Sequence, residues 1–368
     1  MDLSAHLTTR LHSAPEVLMP GLLSWISGFF KRANTTAPTS ALGNGSRSKG
    51  GSSSKAEAHS PLAEALRQHL FCWLLDTRPQ TLGANLENAE ATIEAMAKRL
   101  RSGEFSELPR QPMSLPMLMS ALSDDTTTRQ NLGNIILRDP ALTDQLLKIA
   151  NSPFFRPDKN DIETVDQAIL MLGMDGIRSV VSAALMRPMM SSRDSEEITF
   201  TDRAWRWGMA SARAAETVAR LQGKDVSVYF MAGLLPALAY ITLYREAHRL
   251  VPARADGTLV KLNPATLHQI LVRYQWPVAR LIARTWGLSD NYQGLLHRPE
   301  SPRSHENSAL IDGIVIATRE VLRQARQRNL AEEDLPALVQ LSKNDVTRVQ
   351  AALKPMLEDP KNTPTAQD

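Results

Sequence analysis

Apolar side chains recur at helical spacing along most of this chain, and the polar residues between them fall at the positions where helices begin and end. Ser60-Pro61 forms an N-cap and first-turn pair, after which Leu62, Leu66, Leu70 and Trp73 repeat on one face. A second segment, from Asn85 to Arg101, carries Leu86, Ala89, Ile93, Met96 and Leu100. Pro109, Pro112 and Pro116 then predict a bend into a larger body. Within that body, Leu132, Ile135 and Ile136 share a face of the segment from Thr128 to Leu137. Asp139-Pro140 caps a helix bearing Leu142, Leu146, Leu147 and Ile149, which Asn151-Ser152-Pro153 ends. Thr164-Val165-Asp166-Gln167 reads as a capping box opening a helix that stops at Gly173, and a further helix follows near Gly176 to Met186. Later helices are predicted over about 201–221, 226–248, 264–275, 277–286 and 306–328, then 331–342 and 345–357. No alternating strand pattern and no fixed-period repeat occurs, so the fold class expected is all-α.

The same pattern divides the chain. Residues 1–60 form a leader whose Ala33–Ser60 stretch is rich in Ser, Gly, Thr and Asn, with Leu42 its only large aliphatic residue. That composition buries too little apolar area to offset the entropy of ordering, so disorder is expected, with a reach on the order of 30 Å. Inside the leader, Val17–Phe30 is apolar, interrupted by Pro20 and Gly21 and followed by Lys31-Arg32. The positive flank lies on the wrong side for a signal peptide, and the run falls short of the ~20 residues of a membrane span. An interfacial membrane anchor, a docking helix for a partner and a segment folded back on its own domain all remain open for residues 17–30. Residues 61–104 are expected to form a small N-terminal helical lobe, 105–328 the main bundle, 329–358 C-terminal helices and 359–368 a loose tail.

Composition narrows the function classes. Aromatic residues make up 5% of the 368, and Leu, Ala, Met, Ile and Val dominate the apolar set, as suits helices. The net charge is only +3, although the pI is near 9.0, which is no electrostatic footprint for nucleic acid. The single cysteine, Cys72, excludes an internal disulfide and a multi-cysteine zinc site and fits a reducing compartment. Its neighbours Leu70, Phe71, Trp73 and Leu74 mark it as a small buried hydrophobe.

A run of residues in the main body resembles the HDOD domain. It comprises Asn131-Leu132-Gly133-Asn134-Ile135-Ile136, Asp139-Pro140-Ala141-Leu142, Leu146-Leu147 and Ala150-Asn151-Ser152. It continues through Ile162, Gln167-Ala168-Ile169, Leu172-Gly173 and Ile177-Arg178, and reappears at Trp205, Gly233-Leu234-Leu235 and Trp286-Gly287-Leu288. The resemblance spans about 105–325 and implies a helical bundle related to the HD and HD-GYP phosphohydrolases, used in bacterial signalling and regulation. It also implies where metal ligands would stand. The His-Asp pair that follows Gly-Leu-Leu in the metal-binding relatives is Pro236-Ala237 here. Trp207 occupies the place of a His after Trp205, Leu296-His297 the place of a His-His pair ahead of Pro299, and Thr318 the place of a late Asp.

These residues change the expected chemistry. Neither Pro236 nor Ala237 offers a side-chain electron pair, whereas hard divalent metals need several converging oxygen or imidazole ligands. Of the remaining candidates His248, His268, His297, His305, Asp256, Asp290 and Asp312, none forms a close His-Asp pair or an HExxH spacing. No GxSxG, GxxxxGK[ST] or GxGxxG motif occurs. Pro236 within a helix costs about 3 kcal/mol and predicts a kink near Gly233–Pro236. The helix-turn-helix spacing around Gln167–Val180 has an apolar second helix with only Arg178 basic, as in a core. Arg319, Arg323, Arg326 and Arg328 predict a basic stripe along 306–328, read as a solvated face with phosphate or acidic-partner binding as the alternative. The expectation is thus a cytoplasmic bacterial signalling scaffold without catalytic, metal or cofactor residues, binding a protein partner and no nucleic acid. A divergent metal-dependent phosphohydrolase acting on nucleotides or cyclic dinucleotides, and an adaptor recruited to a membrane through residues 17–30, are the alternatives.

Overall fold

Alternating caps and apolar stripes do produce helices throughout. The computed structural model describes residues 61–83, 89–111, 117–118, 121, 127–151, 162–173, 177, 194–251, 262–297 and 308–357, and no strand occurs among them. The helices are α1 (Pro61–Leu74), α2 (Pro79–Leu82), α3 (Ala89–Ser102), α4 (Arg129–Leu137) and α5 (Pro140–Ala150), then a helical stretch at 165–173. After these come α6 (Ser195–Leu221), α7 (Val226–Leu250), α8 (Pro264–Thr285), α9 (Asp290–His297), α10 (Ser308–Gln324) and α11 (Lys343–Leu357). The leader 1–60 with its apolar run 17–30, the tail 359–368 and, apart from Ile177, the helix expected near Gly176 to Met186 lie outside the described residues.

Local signals set the ends as expected in the first half. Thr128 caps α4 by accepting from the Asn131 N–H, and the Asp139 carboxylate accepts from Leu142 N–H at the start of α5. Thr164 Oγ accepts from Gln167 N–H at 3.3 Å, while the Gln167 carboxamide reaches back to Glu163 N–H at 3.3 Å. The Asn151 side chain donates to Leu147 and Ile162 carbonyls and accepts from Ile162 N–H, pinning the end of α5.

Three expectations are corrected in the second half. The helix placed at 201–221 begins earlier, at Ser195, because Asp194 accepts from Glu197 N–H as its cap. Segments 264–275 and 277–286 are one helix, α8, running through Pro277. Tyr274, Gln275, Val278 and Ala279 are buried on either side of the proline, so packing outweighs its missing hydrogen bond. The stretch 331–342 holds only a short 3₁₀ turn, Glu332–Ala337, since Pro336 removes a donor and Ser342 already caps α11.

Helix α6 is the axle of the bundle, packed most extensively on α7 and α10, with α8 on the far side of α7 and α11 against α6 and α10. α7 is buried continuously from Tyr229 to Tyr244 and runs as one helix across Pro236. Its stretch Val228–Leu250 is long and apolar enough to cross a membrane, but it is the core helix of the bundle. The close approach depends on missing side chains. A Cβ on Gly313 of α10 would lie 2.5 Å from the Ala215 backbone nitrogen of α6, and one on Gly208 would collide with the Ala237 methyl.

Helices α1–α3 are joined to this bundle by polar groups as well as by Leu66, Leu70, Phe71, Trp73 and Leu74, which belong to the same buried core. Arg203 of α6 lies over the Trp73 ring, donates to the Trp73 carbonyl and pairs with Asp76 at 2.9 Å, so it closes the C-terminal end of α1. Glu246 of α7, fully buried, accepts from Arg99 and from the backbone N–H groups of Ser106 and Glu107. Tyr274 donates to the Ile93 carbonyl, and the Trp286 indole donates to Pro109.

Candidate functional site

Three of the four positions implied as ligand places converge on one buried point between α6, α7 and α10. Trp207 projects from α6 and its indole N–H donates to Thr318 Oγ1 of α10 at 2.9 Å. Thr318 in turn donates to the Ile314 carbonyl at 2.7 Å, so its hydroxyl is engaged both as donor and as acceptor. Ala237 lies against Gly208, the neighbour of Trp207, which fixes the third position beside the first two. All of Trp207, Ala237 and Thr318 are buried, and Pro236 is buried with them.

Aromatic packing fills the space beside this contact. Trp207 stacks on Tyr240 of α7 with ring centres 5.2 Å apart. Tyr240 donates to Gln275 Oε1 of α8 at 3.0 Å, and burial raises its pKa, which keeps the phenol protonated. Phe71 of α1 meets Tyr240 edge-on at 5.5 Å and the His268 ring at 4.6 Å, so α1 packs directly on the cluster.

The fourth position does not join them. Leu296 is buried, whereas His297 ends α9 on the surface. The other candidates scatter. His248 Nδ1 sits 2.8 Å from the Tyr244 carbonyl, His268 lies at the lobe seam, and Asp290 is exposed at the start of α9. His305 and Asp256 lie outside the described residues. Asp312 is buried and accepts from Gln340 N–H at 3.0 Å, and burial lifts its carboxyl to about 6 against the weaker pull of that N–H and of Lys224. Among the described residues no three His, Cys, Asp or Glu side chains gather. The residues at the converging point therefore do not fit the divalent metal that the HD-type arrangement implies: an indole, a methyl group, a proline ring and a doubly engaged hydroxyl supply no ligand set.

Two further sequence expectations change. The basic stripe dissolves, because Arg319 is buried and bonded to Glu320, with Glu332 at 3.5 Å, and Arg323 also reaches Glu320. Arg326 and Arg328 lie past the end of α10. Cys72 is half-buried rather than buried, packed beside the core with its thiol pKa raised by desolvation. In the helix-turn-helix candidate, Ala168, Ile169, Leu172 and Ile177 are all core residues. The buried Glu246 cluster escaped the sequence reading altogether, since its members lie some 140 residues apart.

With this geometry in place, the comparisons assign the class. The HDOD domain model matches residues 108–302, a little over half of the chain. The protein belongs to the HDOD domain family. Similar solved structures include a candidate metal-dependent phosphohydrolase from Shewanella amazonensis SB2B, at 17% identity and TM-score 0.49, covering 74% of this chain and 99% of that one. An HDOD domain protein of unknown function from Geobacter sulfurreducens shares 18% identity at TM-score 0.48, over 71% of this chain and 93% of its own. A candidate signal transduction protein from Marinobacter aquaeolei VT8 shares 16% identity at TM-score 0.49, over 76% of this chain and 69% of its own. Comparison with curated proteins gave no match.

Proposed function

We propose that this protein is a non-catalytic signalling scaffold, an HDOD module that works by binding a protein partner in the bacterial cytoplasm. The observation that supports this reading is the Trp207–Thr318 hydrogen bond beside Ala237 and Gly208. Where an HD-type hydrolase would hold its metal, these groups offer no ligand set to activate water, which supports a role in binding. Fold alone assigns no activity, so the site carries the argument.

The test is elemental analysis of the purified full chain combined with hydrolysis assays on cyclic dinucleotides and a nitrophenyl phosphodiester in Mn²⁺ and Mg²⁺. The expected outcome is substoichiometric metal and no turnover above buffer. Stoichiometric metal together with turnover abolished by His297→Ala overturns the reading in favour of a divergent phosphohydrolase. Co-sedimentation with anionic liposomes, full chain against a chain beginning at Ser60, separates the membrane adaptor: loss of sedimentation in the shorter chain favours that alternative.

A further inference from the structure

Helix α1 packs against α6 and α10, and its Phe71 also meets α8; a histidine stands near each of these two contacts. On one side of α1, His69 lies in the field of Arg328, which follows α10, and shares that cation with Cys72 of its own helix. On the other side, His268 of α8 presses edge-on against Phe71, ring centres 4.6 Å apart. Glu64 and Arg67 of α1 are the charged groups facing His268, and α2 contributes the Leu82 carbonyl. Glu64 and Arg67 are themselves an ion pair, so their effects on the ring oppose each other.

In both rings Nδ1 is sealed from solvent with no hydrogen-bond partner among the described residues. A neutral imidazole leaves that nitrogen as a bare acceptor. Protonation makes it a donor with no acceptor in place at His69 and adds a charge to the seam at both rings, a cost that the Leu82 carbonyl offsets in part at His268. At His69 the new charge also confronts Arg328 at like sign.

We propose that His69 and His268 form an acid-sensitive latch, in which protonation of either ring within its seam loosens the N-terminal lobe from the bundle. Burial lowers both histidines below their ordinary 6.5, so the docked lobe binds fewer protons than an opened one. Docking is therefore at full strength above the ordinary histidine range and weakens as pH falls from there towards the lowered values. The apolar anchors Leu66, Leu70, Phe71, Trp73 and Leu74 hold at every pH, so the latch shifts an opening equilibrium and does not shed the lobe. Opening would uncover this apolar face and the Tyr240–Trp207 stack beneath it. The C-terminal helix provides the control. It is held by buried Val349, Leu353 and Met356 and by Gln350 on Glu320, and the Asp312 carboxyl that meets the segment before it is favoured neutral by burial, so acid gives α11 no cause to open.

Native-state hydrogen exchange on the full chain between pH 7.5 and 5.5, corrected for intrinsic rates, tests this. The opening constant of α1 amides should rise several-fold towards the acid end, because the opened form binds more protons than the docked one. That of α11 should stay level or fall, and His69→Gln with His268→Gln should remove the pH dependence in α1. An α1 opening constant that is flat with pH, or that rises in step with α11, overturns the latch. Should the double variant fail to dock its lobe, ring-proton NMR titration of the unsubstituted chain decides: both rings titrating at or above 6.5 overturns the proposal, and both below it support it.

Discussion

Helix α7 carries two buried sites of opposite character, less than three turns apart. At Ala237 the helix meets Gly208 across a seam of small apolar groups, and beside them the Trp207 indole donates to Thr318. At Glu246 the same helix buries a full carboxylate, answered by the Arg99 guanidinium and two backbone N–H groups. A third case lies between these extremes on α10, where Asp312 has one backbone N–H at 3.0 Å. The bundle thus tolerates interior charge wherever enough donors converge on it. The apolar character at 237 is a property of that seam and not a general intolerance of the fold.

Substitutions sharpen this contrast. The largest effect is expected for Glu246→Ala, which strands Arg99 and the Ser106 and Glu107 N–H groups; by the cost of breaking a buried pair it should lose about 3–5 kcal/mol in denaturant unfolding. A loss under about 1 kcal/mol would put Glu246 on a par with a surface pair and erase the distinction. Next is Asp312→Asn. Because burial pushes the native carboxyl up to about 6 from 3.8, its contribution is fully present below about pH 4 and is lost as pH rises through 6. The amide keeps an acceptor for Gln340, so this variant should gain up to about 3 kcal/mol at pH 7 and nothing at pH 4. A variant less stable than the parent at pH 7 would mean that the charge is welcome there.

Smaller effects probe the seam itself. Gly313→Ala forces a methyl group into the Ala215 backbone and should cost about 1–3 kcal/mol, read as a lower thermal midpoint. Thr318→Val leaves the Trp207 N–H unsatisfied and should cost about 1–2 kcal/mol, whereas Thr318→Val with Trp207→Phe should recover part of that loss. Strict additivity of the two would show that the hydrogen bond does not hold the seam.

The helical punctuation was legible because caps act over three or four residues. Asp139 and Thr164 each bond the N–H expected of them, Asn151 ends its helix as its position implied, and Thr128 proves to cap the segment that starts with it. Propensity read locally misplaced the helix at Pro277 and the 3₁₀ turn at Glu332–Ala337. In the first, tertiary burial on both sides of the proline outweighed a missing donor; in the second, no comparable packing was on offer.

By itself the chain's order of residues determined an all-α bundle and its family, and put Pro236-Ala237 directly after Gly233-Leu234-Leu235, because these depend on periodicity and on side-chain identity at fixed neighbours. Only the tertiary structure decided that Trp207 and Thr318, 111 residues apart, close upon each other, and that Glu246 gathers Arg99 and Ser106. It also decided that Arg319 turns inward from its expected stripe. The physical reason is that hydrogen bonding and desolvation act through space at a few ångströms, and sequence separation carries no record of which distant groups are brought within that range.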